Sequence, residues 1–451
     1  MPSPLRGPYA AYKRQASNGE DAELTHVERG SPCGEYLRRF WQPVALSADL
    51  KDLPVRIRIM GEDLVLFRDL RGRTGLLELH CCHRRSSLEF GKICESGIRC
   101  AYHGWQYDVD GRILDTPGEP VRSKIKENVF QGAYPTREFE GIVFAYMGPP
   151  DRMPEFPLYD LYEKPGTRLV PVKVHSPCNW LQVRENEMDP MHITFLHTRI
   201  FGTQFAEVFR PVPTLEFIET PVGMMYITTR RWKDGKVYIR SNDMVLPNLA
   251  RVAGIEDAEG DKEILFDRRN GGTNWIVPID NENCWTIGWD DEEKLVGVPG
   301  LDAYIDRSVR ENARPTGAFD VGQTGEPSYE QRQRAPGDWD VWVSQGRITR
   351  HDQENLAHSD GGVAMYRKLV RRGIRAVAEG RDPKGWAGTN GQVRRTYSHN
   401  SVVFLPEESD PETDARQRAE MARKLTDRIL QGEIRPYVEQ RTSDARPTVD
   451  A

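Results

Sequence analysis

The 451-residue chain lacks long apolar runs and has no surplus of positive charge. No run approaches the roughly 18 apolar residues that a membrane helix needs, and residues 1–15 lack the apolar segment of a secretory signal. The formal net charge of -6 argues against a protein that binds nucleic acid through bulk electrostatics. We therefore expect a cytoplasmic protein with neither a membrane nor a nucleic-acid partner.

Cysteine is also scarce, and its placement is uneven. The chain has seven cysteines, an odd number that does not suggest a disulfide framework in a long cytoplasmic protein. Four of them, Cys81, Cys82, Cys94 and Cys100, fall within one short stretch. This clustering indicates a binding site rather than a set of crosslinks.

The hydrophobic pattern predicts an α+β chain with more than one domain. Residues 1–40 are expected to form a mostly helical lead-in. From Val55 onwards apolar and polar residues alternate as in strands, and turns recur at short intervals up to a break at 147–150. We therefore predict a small all-β domain at residues 41–150.

Residues 151–451 are predicted to form a second domain with C-terminal helices. Strand-like segments at 223–232 and 236–245 precede amphipathic helical patterns near 362–378 and 414–430. This order is typical of an α+β domain in which an antiparallel sheet is flanked by helices.

Two short segments of the predicted all-β domain offer metal ligands. Cys81 and His83 form a Cys-x-His pair, and Cys100 and His103 form a Cys-x-x-His pair. Two thiolates and two imidazoles suit a single zinc ion, or a [2Fe–2S] cluster with both cysteines on one iron and both histidines on the other. The spacing alone leaves both possibilities open.

A second candidate site lies in a helical pattern at 180–197. Asp189 and His192 are three residues apart and share one face of a helix. His192 and His197 are five apart, so a regular helix would separate them, whereas a helix end or a π-like widening would bring them together. Two histidines and a carboxylate form the facial triad of mononuclear iron(II) oxygenases, although two histidines near a helix end are more often structural.

These motifs resemble those of one known family. The segments Cys81–Arg84 and Cys100–Trp105 are similar to the two cluster-binding loops of Rieske domains in ring-hydroxylating oxygenases. The pattern Glu-Asn-x-x-Asp-x-x-His-x-x-x-x-His at 185–197 resembles the iron motif of the same oxygenases, in the same order and at a similar separation. The chain thus resembles the terminal oxygenase, or alpha, subunit of a Rieske non-haem iron oxygenase. Its catalytic domain is then expected to be of the helix-grip type.

The resemblance implies a role for each residue of the two motifs. Both cysteines would hold one iron of a Rieske [2Fe–2S] cluster and both histidines the other, the ligands being Cys81, Cys100, His83 and His103. His192 and His197 would bind a mononuclear non-haem iron(II), with O₂ as co-substrate. Asp189 would be a catalytic residue that hydrogen-bonds the proximal histidine and connects to a cluster histidine of a neighbouring subunit. The chain would therefore assemble as a ring-shaped homo-oligomer, a trimer or a stacked hexamer.

A third iron ligand is expected in a later segment. Residues 337–346 resemble the late ligand region of the family, most closely that of phthalate dioxygenase and related aryl O-demethylase oxygenases. The register implies Asp338 as the carboxylate ligand. Asp340 is the alternative, because residues two apart along a strand face the same way.

The resemblance also implies a reaction and partners. The chain has no G-x-G-x-x-G fingerprint, so electrons would come from a separate NAD(P)H-dependent reductase, with or without a ferredoxin. The expected substrate is an aromatic acid, oxidised by O-demethylation of a methoxylated lignin-type carboxylate or by cis-dihydroxylation of a phthalate-like carboxylate. Four arginines are candidates to bind its carboxylate: Arg230, Arg231, Arg240 and Arg251.

Two other functions are compatible with parts of the pattern. A zinc-stabilised, non-enzymatic binding protein would use the cysteine and histidine pairs for structure and leave His192 and His197 without a metal. A simple electron carrier would use the cluster but leave the second domain without a role.

Overall fold

The fold is seen in a computed structural model of the chain. The structure describes residues 7–14, 19–160, 169–254, 264–267, 270–291, 324–325, 327–386 and 393–434. Parts of the predicted lead-in and of the predicted second domain, among them residues 292–323 and 435–451, lie outside the described residues.

Strands dominate the described part of the chain. In chain order they are β1 (Trp41–Leu46), β2 (Val55–Ile59), β3 (Glu62–Arg68), β4 (Thr74–Glu78), β5 (Lys92–Ile93), β6 (Ile98–Arg99), β7 (Gln106–Tyr107), β8 (Ile113–Asp115), β9 (Ala133–Tyr134), β10 (Thr136–Phe139), β11 (Ile142–Tyr146), β12 (Leu169–Ser176), β13 (Thr214–Glu219), β14 (Gly223–Arg231), β15 (Lys236–Val245), β16 (Leu249–Ala253), β17 (Ile264–Asp267), β18 (Asn270–Pro278), β19 (Cys284–Asp291) and β20 (His399–Phe404). The α-helices are α1 (Ala22–Thr25), α2 (Pro32–Leu37), α3 (Ile125–Asn128), α4 (Trp180–Asn186), α5 (Met191–Thr194), α6 (Tyr329–Arg334), α7 (Asp338–Ser344), α8 (Gly361–Ala378) and α9 (Pro411–Leu430).

The strands form three small sheets and one large one. The small sheets have the orders β1-β11-β10, β2-β3-β4-β9 and β5-β6-β7-β8, and all of their pairings are antiparallel. The large sheet has nine strands, with the path β12-β19-β18-β16-β15-β14-β13 and β17 and β20 beside it. The predicted α+β fold, a small all-β part followed by a large antiparallel sheet with helices, is confirmed.

The helix predicted at 180–197 is interrupted. Helix α4 ends at Asn186, and α5 begins at Met191 and continues into a π-helical segment, Phe195–Ile200. Pro190 stands immediately before α5, and proline cannot donate the backbone hydrogen bond that a continuous helix needs there. The predicted π-like widening is therefore present, and it follows a break in the helix at 187–190.

The main hydrophobic core crosses from the small sheets to the large one. Phe144 of β11 is buried, and its ring packs edge-on against Trp275 at a centroid distance of 5.4 Å and, tilted, against Trp289 at 6.0 Å. The main core contains residues of the small sheets and of the large sheet. It therefore does not divide the chain at residues 40 or 150, and these domain boundaries stay predictions. No helix of the described residues combines the length and apolar character needed to span a bilayer.

Candidate metal centres

The two predicted cluster loops lie at the tips of small sheets. The first follows β4, where the Cys81 N–H donates to Ser86 O at 2.9 Å. The second joins β6 to β7, where the Cys100 N–H donates to Trp105 O at 2.8 Å and Gly104 adopts a φ of 72° that favours glycine. Each cysteine and the histidine that follows it therefore lie in one tight turn.

The four predicted ligands are brought together. The rings of His83 and His103 have centroids 4.6 Å apart, and His83 stacks on Trp105 at 4.4 Å. Cys81 and Cys100 are both buried. Burial, together with the neighbouring Cys81, raises the pKa of the Cys100 thiol, and slight desolvation with the nearby His83 lowers the pKa of His103.

These residues fit a two-iron cluster better than a single zinc ion. His83 Nδ1 is buried and has no hydrogen-bond partner among the described residues, a cost of about 1–3 kcal/mol that metal ligation would remove. Zinc bonds of about 2.0–2.3 Å would bring all four ligand atoms close together. Among the described residues, two groups of at least three possible ligands lie within 4.8 Å of one another, and these four residues form neither.

Tyr107 is a neighbour of the cluster loops that the motifs did not reveal. Its Oη lies 2.8 Å from Cys81 Sγ and 3.6 Å from Cys82 Sγ. Burial and the two sulfurs raise the pKa of the Tyr107 hydroxyl, so it stays a hydrogen-bond donor. The Cys82 side chain contributes to this contact as well.

The second predicted site combines residues from three elements. His192 lies on α5 and His197 in the π-helical segment, with ring centroids 5.4 Å apart. Asp338 begins α7 and is buried; its Oδ1 lies 3.4 Å from His192 Nε2 and 3.1 Å from His197 Nε2. These three residues form one of the two compact ligand groups among the described residues.

The expectation that Asp338 lies on a strand is wrong. It begins a helix, in which residues two apart point in different directions. The Asp340 carboxylate instead accepts hydrogen bonds from the Gly337 N–H at 3.1 Å and Arg332 Nη1 at 3.0 Å. Asp340 therefore holds the start of the helix, and Asp338 faces the two histidines.

Hydrogen bonds orient both imidazoles. His192 Nδ1 contacts the backbone carbonyl of Asp189, and His197 Nδ1 lies 2.9 Å from Gln204 Oε1, so both rings turn Nε2 towards Asp338. Burial opposes protonation of His197, but the hydrogen bond and charge of Asp338 give it a raised pKa. Asn186 Nδ2 also donates to Asp338 Oδ1 at 3.1 Å. Two nitrogens and a carboxylate oxygen with oriented rings fit iron(II).

Asp189 does not hydrogen-bond His192 through its side chain within one chain. Its Oδ1 accepts from the Met191 N–H at 3.0 Å, and its Oδ2 lies 3.9 Å from His192 Nδ1. Its side chain is 31% exposed. The expected contact with a neighbouring subunit therefore stays a prediction.

A cavity of about 200 Å³ adjoins His192 and Asp338. Its lining is partly apolar and includes two buried arginines, Arg184 and Arg240. Arg184 lies 3.6 Å from the Glu187 carboxylate. Arg240 donates to Ala253 O at 2.8 Å and to Asn400 Oδ1 at 3.3 Å, and no carboxylate of the described residues pairs with it.

The other arginines singled out from the sequence lie elsewhere. Arg230 donates to Thr228 Oγ1, Arg251 donates to Ser398 O, and Arg231 pairs with Asp414. None of these three lines the cavity. Arg184 was missed because it lies inside the helical pattern and nothing in its spacing distinguishes it.

Comparisons with known proteins agree with the motifs. Residues 40–127 match a family model described as the Rieske [2Fe-2S] domain, and residues 145–253 match one described as LigXa C-terminal domain like. The chain is 40% identical to the tert-butanol monooxygenase / tert-amyl alcohol desaturase oxygenase subunit of Aquincola tertiaricarbonis, over 87% of this chain and 85% of that protein. It is 38% identical to the phenoxybenzoate dioxygenase subunit alpha of Ectopseudomonas oleovorans, over 81% and 87%. It is 32% identical to the 5,5'-dehydrodivanillate O-demethylase oxygenase subunit of a Sphingobium strain, over 86% and 85%.

Replacing Tyr107 by phenylalanine is expected to lower the midpoint potential of the cluster. The substitution removes a hydrogen bond to Cys81 Sγ, and hydrogen bonds to the sulfurs favour the more negative, reduced state. A net bond of about 0.5–1.5 kcal/mol corresponds to roughly 20–65 mV for one electron. Protein-film voltammetry measures the shift, and an unchanged potential with an intact cluster spectrum would show that this bond is absent in the loaded protein.

Asp338→Asn and Asp340→Asn form a matched pair. The first is expected to lose the mononuclear iron and keep the cluster, because it removes the carboxylate that faces both histidines. The second is expected to keep both, since Asp340 contacts Arg332 instead. Iron and sulfide analysis of each purified variant shows which aspartate is the carboxylate ligand. Iron loss in Asp340→Asn alone would assign that role to Asp340 instead of Asp338.

Proposed function

The chain belongs to the Rieske oxygenase alpha-subunit family of phthalate dioxygenase and dehydrodivanillate O-demethylase, and from this premise we propose that it O-demethylates a methoxylated, single-ring aromatic carboxylate of the lignin type. It is the terminal oxygenase of a multicomponent system, which implies a reductase as partner. One observation carries the choice of an acid: Arg240 lies in the cavity beside the candidate iron site without a carboxylate partner among the described residues.

The charge of Arg240 favours an anionic substrate. A buried guanidinium without a counter-charge is costly, and a substrate carboxylate would supply that charge through charge-assisted hydrogen bonds. A neutral alcohol would leave the charge uncompensated. For this reason we favour an acid, although one relative at 40% identity is named for tert-butanol.

The size of the cavity favours a small substrate. Its volume of about 200 Å³ is below the roughly 300–1,000 Å³ of pockets that enclose drug-sized ligands. Apolar side chains such as Ile193 and Trp342 line it together with the polar groups. We infer that a single aromatic ring packs against the apolar wall while Arg240 orients its carboxylate and the ring excludes water.

The candidate ligands would divide the chemistry between two centres. When bound, the cluster held by Cys81, Cys100, His83 and His103 supplies electrons, and the iron held by His192, His197 and Asp338 activates O₂. The protein holds His192 and His197 with Nε2 directed to one point and keeps the substrate beside it. Oxidation of a methoxy group gives a hemiacetal, which falls apart into a phenol and formaldehyde.

Asp189 is proposed to connect the two centres across a subunit interface. Its partly exposed carboxylate has no hydrogen bond to His192 within the chain, so one oxygen remains available to a cluster histidine of a second copy. This role requires a ring-shaped trimer or stacked hexamer, which is part of the proposal.

Cis-dihydroxylation of the ring is a second candidate reaction for the same site. The relative named phenoxybenzoate dioxygenase is 38% identical to this chain, and a ring bound by its carboxylate presents ring carbons as readily as a substituent. The two reactions differ in their products and not in the residues that bind the substrate.

The function is tested with purified protein, a surrogate reductase and three substrates. Methoxybenzoates, phthalate and tert-butanol are incubated in turn, and formaldehyde, cis-diol and oxygen consumption are measured after iron and sulfide analysis. We expect formaldehyde and phenol in equal amounts from a methoxybenzoate. A diol supports dihydroxylation, turnover of tert-butanol alone overturns the acid assignment, and a colourless zinc protein overturns the oxygenase assignment.

Arg240→Met is expected to weaken binding of the acid substrate. Loss of a charge-assisted hydrogen bond costs about 1.5–3 kcal/mol, or roughly a 10- to 150-fold higher KM. Arg231→Met is the matched control, because Arg231 pairs with Asp414 outside the cavity. Equal KM values for both variants with an acid substrate contradict the anchoring role of Arg240.

A further inference from the structure

We propose that helix α8 positions the candidate iron ligands His192 and Asp338 through two contacts, one made by Gly362 and one by Arg367. The inference rests on the proposed function, because it assigns the iron site to His192. Neither residue touches the cavity or the candidate ligands, so both are positioning residues.

Because Gly362 has no side chain, the start of α8 packs closely against the Met188 backbone oxygen, between α4 and α5. A Cβ at this position would lie well under 3.0 Å from the Met188 backbone oxygen and from the Phe217 ring. Real Cβ atoms do not approach other atoms so closely, so a side chain here must displace the Met188 carbonyl or the helix. Met188 is itself fully buried in the main core, which leaves its peptide little room to retreat.

The Met188 carbonyl adjoins the group that orients His192. The next carbonyl along the chain, that of Asp189, contacts His192 Nδ1. This contact turns Nε2 of the ring towards Asp338 Oδ1, 3.4 Å away. A displaced Met188 peptide therefore moves the acceptor that sets the direction of the ligand nitrogen.

Arg367 holds the chain on the other side of the break. Its Nε and Nη2 donate to the two carboxylate oxygens of Glu185 at 2.6 and 2.7 Å, and Nη1 and Nη2 donate to Glu354 at 2.6 and 2.9 Å. Glu185 lies in the last turn of α4 and is followed by Asn186, which donates to Asp338. This two-sided ion pair fixes α4 at the point where the chain leaves the helix.

The ion pair also argues against a second metal site at this place. Ligand atoms of Glu185, His351 and Glu354 lie within 4.8 Å of one another. The Arg367 guanidinium already donates paired hydrogen bonds to both carboxylates. The group therefore serves to hold α4 against α8.

The test compares Gly362→Ala with Gly361→Ala in the full-length holoenzyme. The neighbouring glycine is a matched control, because a Cβ at Gly361 meets only the Phe217 ring, at 3.1 Å. We expect Gly362→Ala to weaken ferrous iron binding at the mononuclear site by about 10- to 100-fold, the range seen when groups that orient metal ligands are disturbed. Gly361→Ala is expected to bind iron as the wild type does.

Two readouts separate positioning from general damage. Iron titration gives the affinity, and the electron paramagnetic resonance spectrum of ferrous iron with added nitric oxide reports the ligand geometry, while the cluster signal serves as an internal reference. Gly373→Ala is a stability control, since its Cβ would overlap the Tyr36 ring at the far end of α8. It is expected to lower the thermal midpoint without changing the iron site.

A second pair of variants covers the case in which Gly362→Ala does not fold. Arg367→Met is expected to weaken iron binding and Arg367→Lys to restore part of it, because lysine keeps the charge. Arg371→Met is the control, as Arg371 lies one turn further along α8 and pairs with Asp21 and Glu23. The inference is overturned if Arg367→Met, or a folded Gly362→Ala variant, binds iron and gives spectra as the wild type does. A wild-type protein with no mononuclear iron overturns the proposed function instead.

Discussion

The architecture depends on a buried carboxylate that faces two buried or half-buried imidazoles. Asp338 reaches His197 across 141 residues of sequence and is held by its place at the start of α7. A metal ion bound by all three would satisfy the carboxylate and both ring nitrogens at once. The three groups are brought together by the break between α4 and α5, by the π-helical segment and by the contacts that orient each ring.

Buried charges elsewhere in the described residues are mostly compensated. Arg367 lies between Glu185 and Glu354, and Arg184 has Glu187 nearby. Arg230 and Arg240 have only neutral hydrogen-bond partners among the described residues, but of these two only Arg240 lines the cavity. Since an uncompensated buried charge is costly, this arrangement supports the proposal that the substrate carries a negative charge.

The two candidate centres lie in separate parts of the molecule, and Cys81 and Cys100 of the cluster loops belong to a hydrophobic cluster distinct from the main core. Phe144 joins the small sheets to Trp275 and Trp289 of the large sheet, whereas the cluster loops stand at the tips of the small sheets. The four candidate cluster ligands are held by local turns, so their geometry depends little on the large sheet. The candidate iron site depends on packing between α4, α7 and α8, and its geometry is therefore sensitive to residues far from His192, His197 and Asp338.

The amino-acid sequence by itself determined the cluster loops, the α+β order and the two histidines, because each of these is a local pattern. Cys81 with His83 and Cys100 with His103 lie within single turns, and His192 with His197 within one irregular helix, so spacing predicts their proximity. Only the tertiary structure decided that Asp338 faces His192 and His197, that Arg240 rather than Arg230 faces the cavity, and that Gly362 packs against the Met188 carbonyl. Those contacts join segments more than a hundred residues apart or depend on the direction of one side chain within a buried strand, and local spacing carries no information about either.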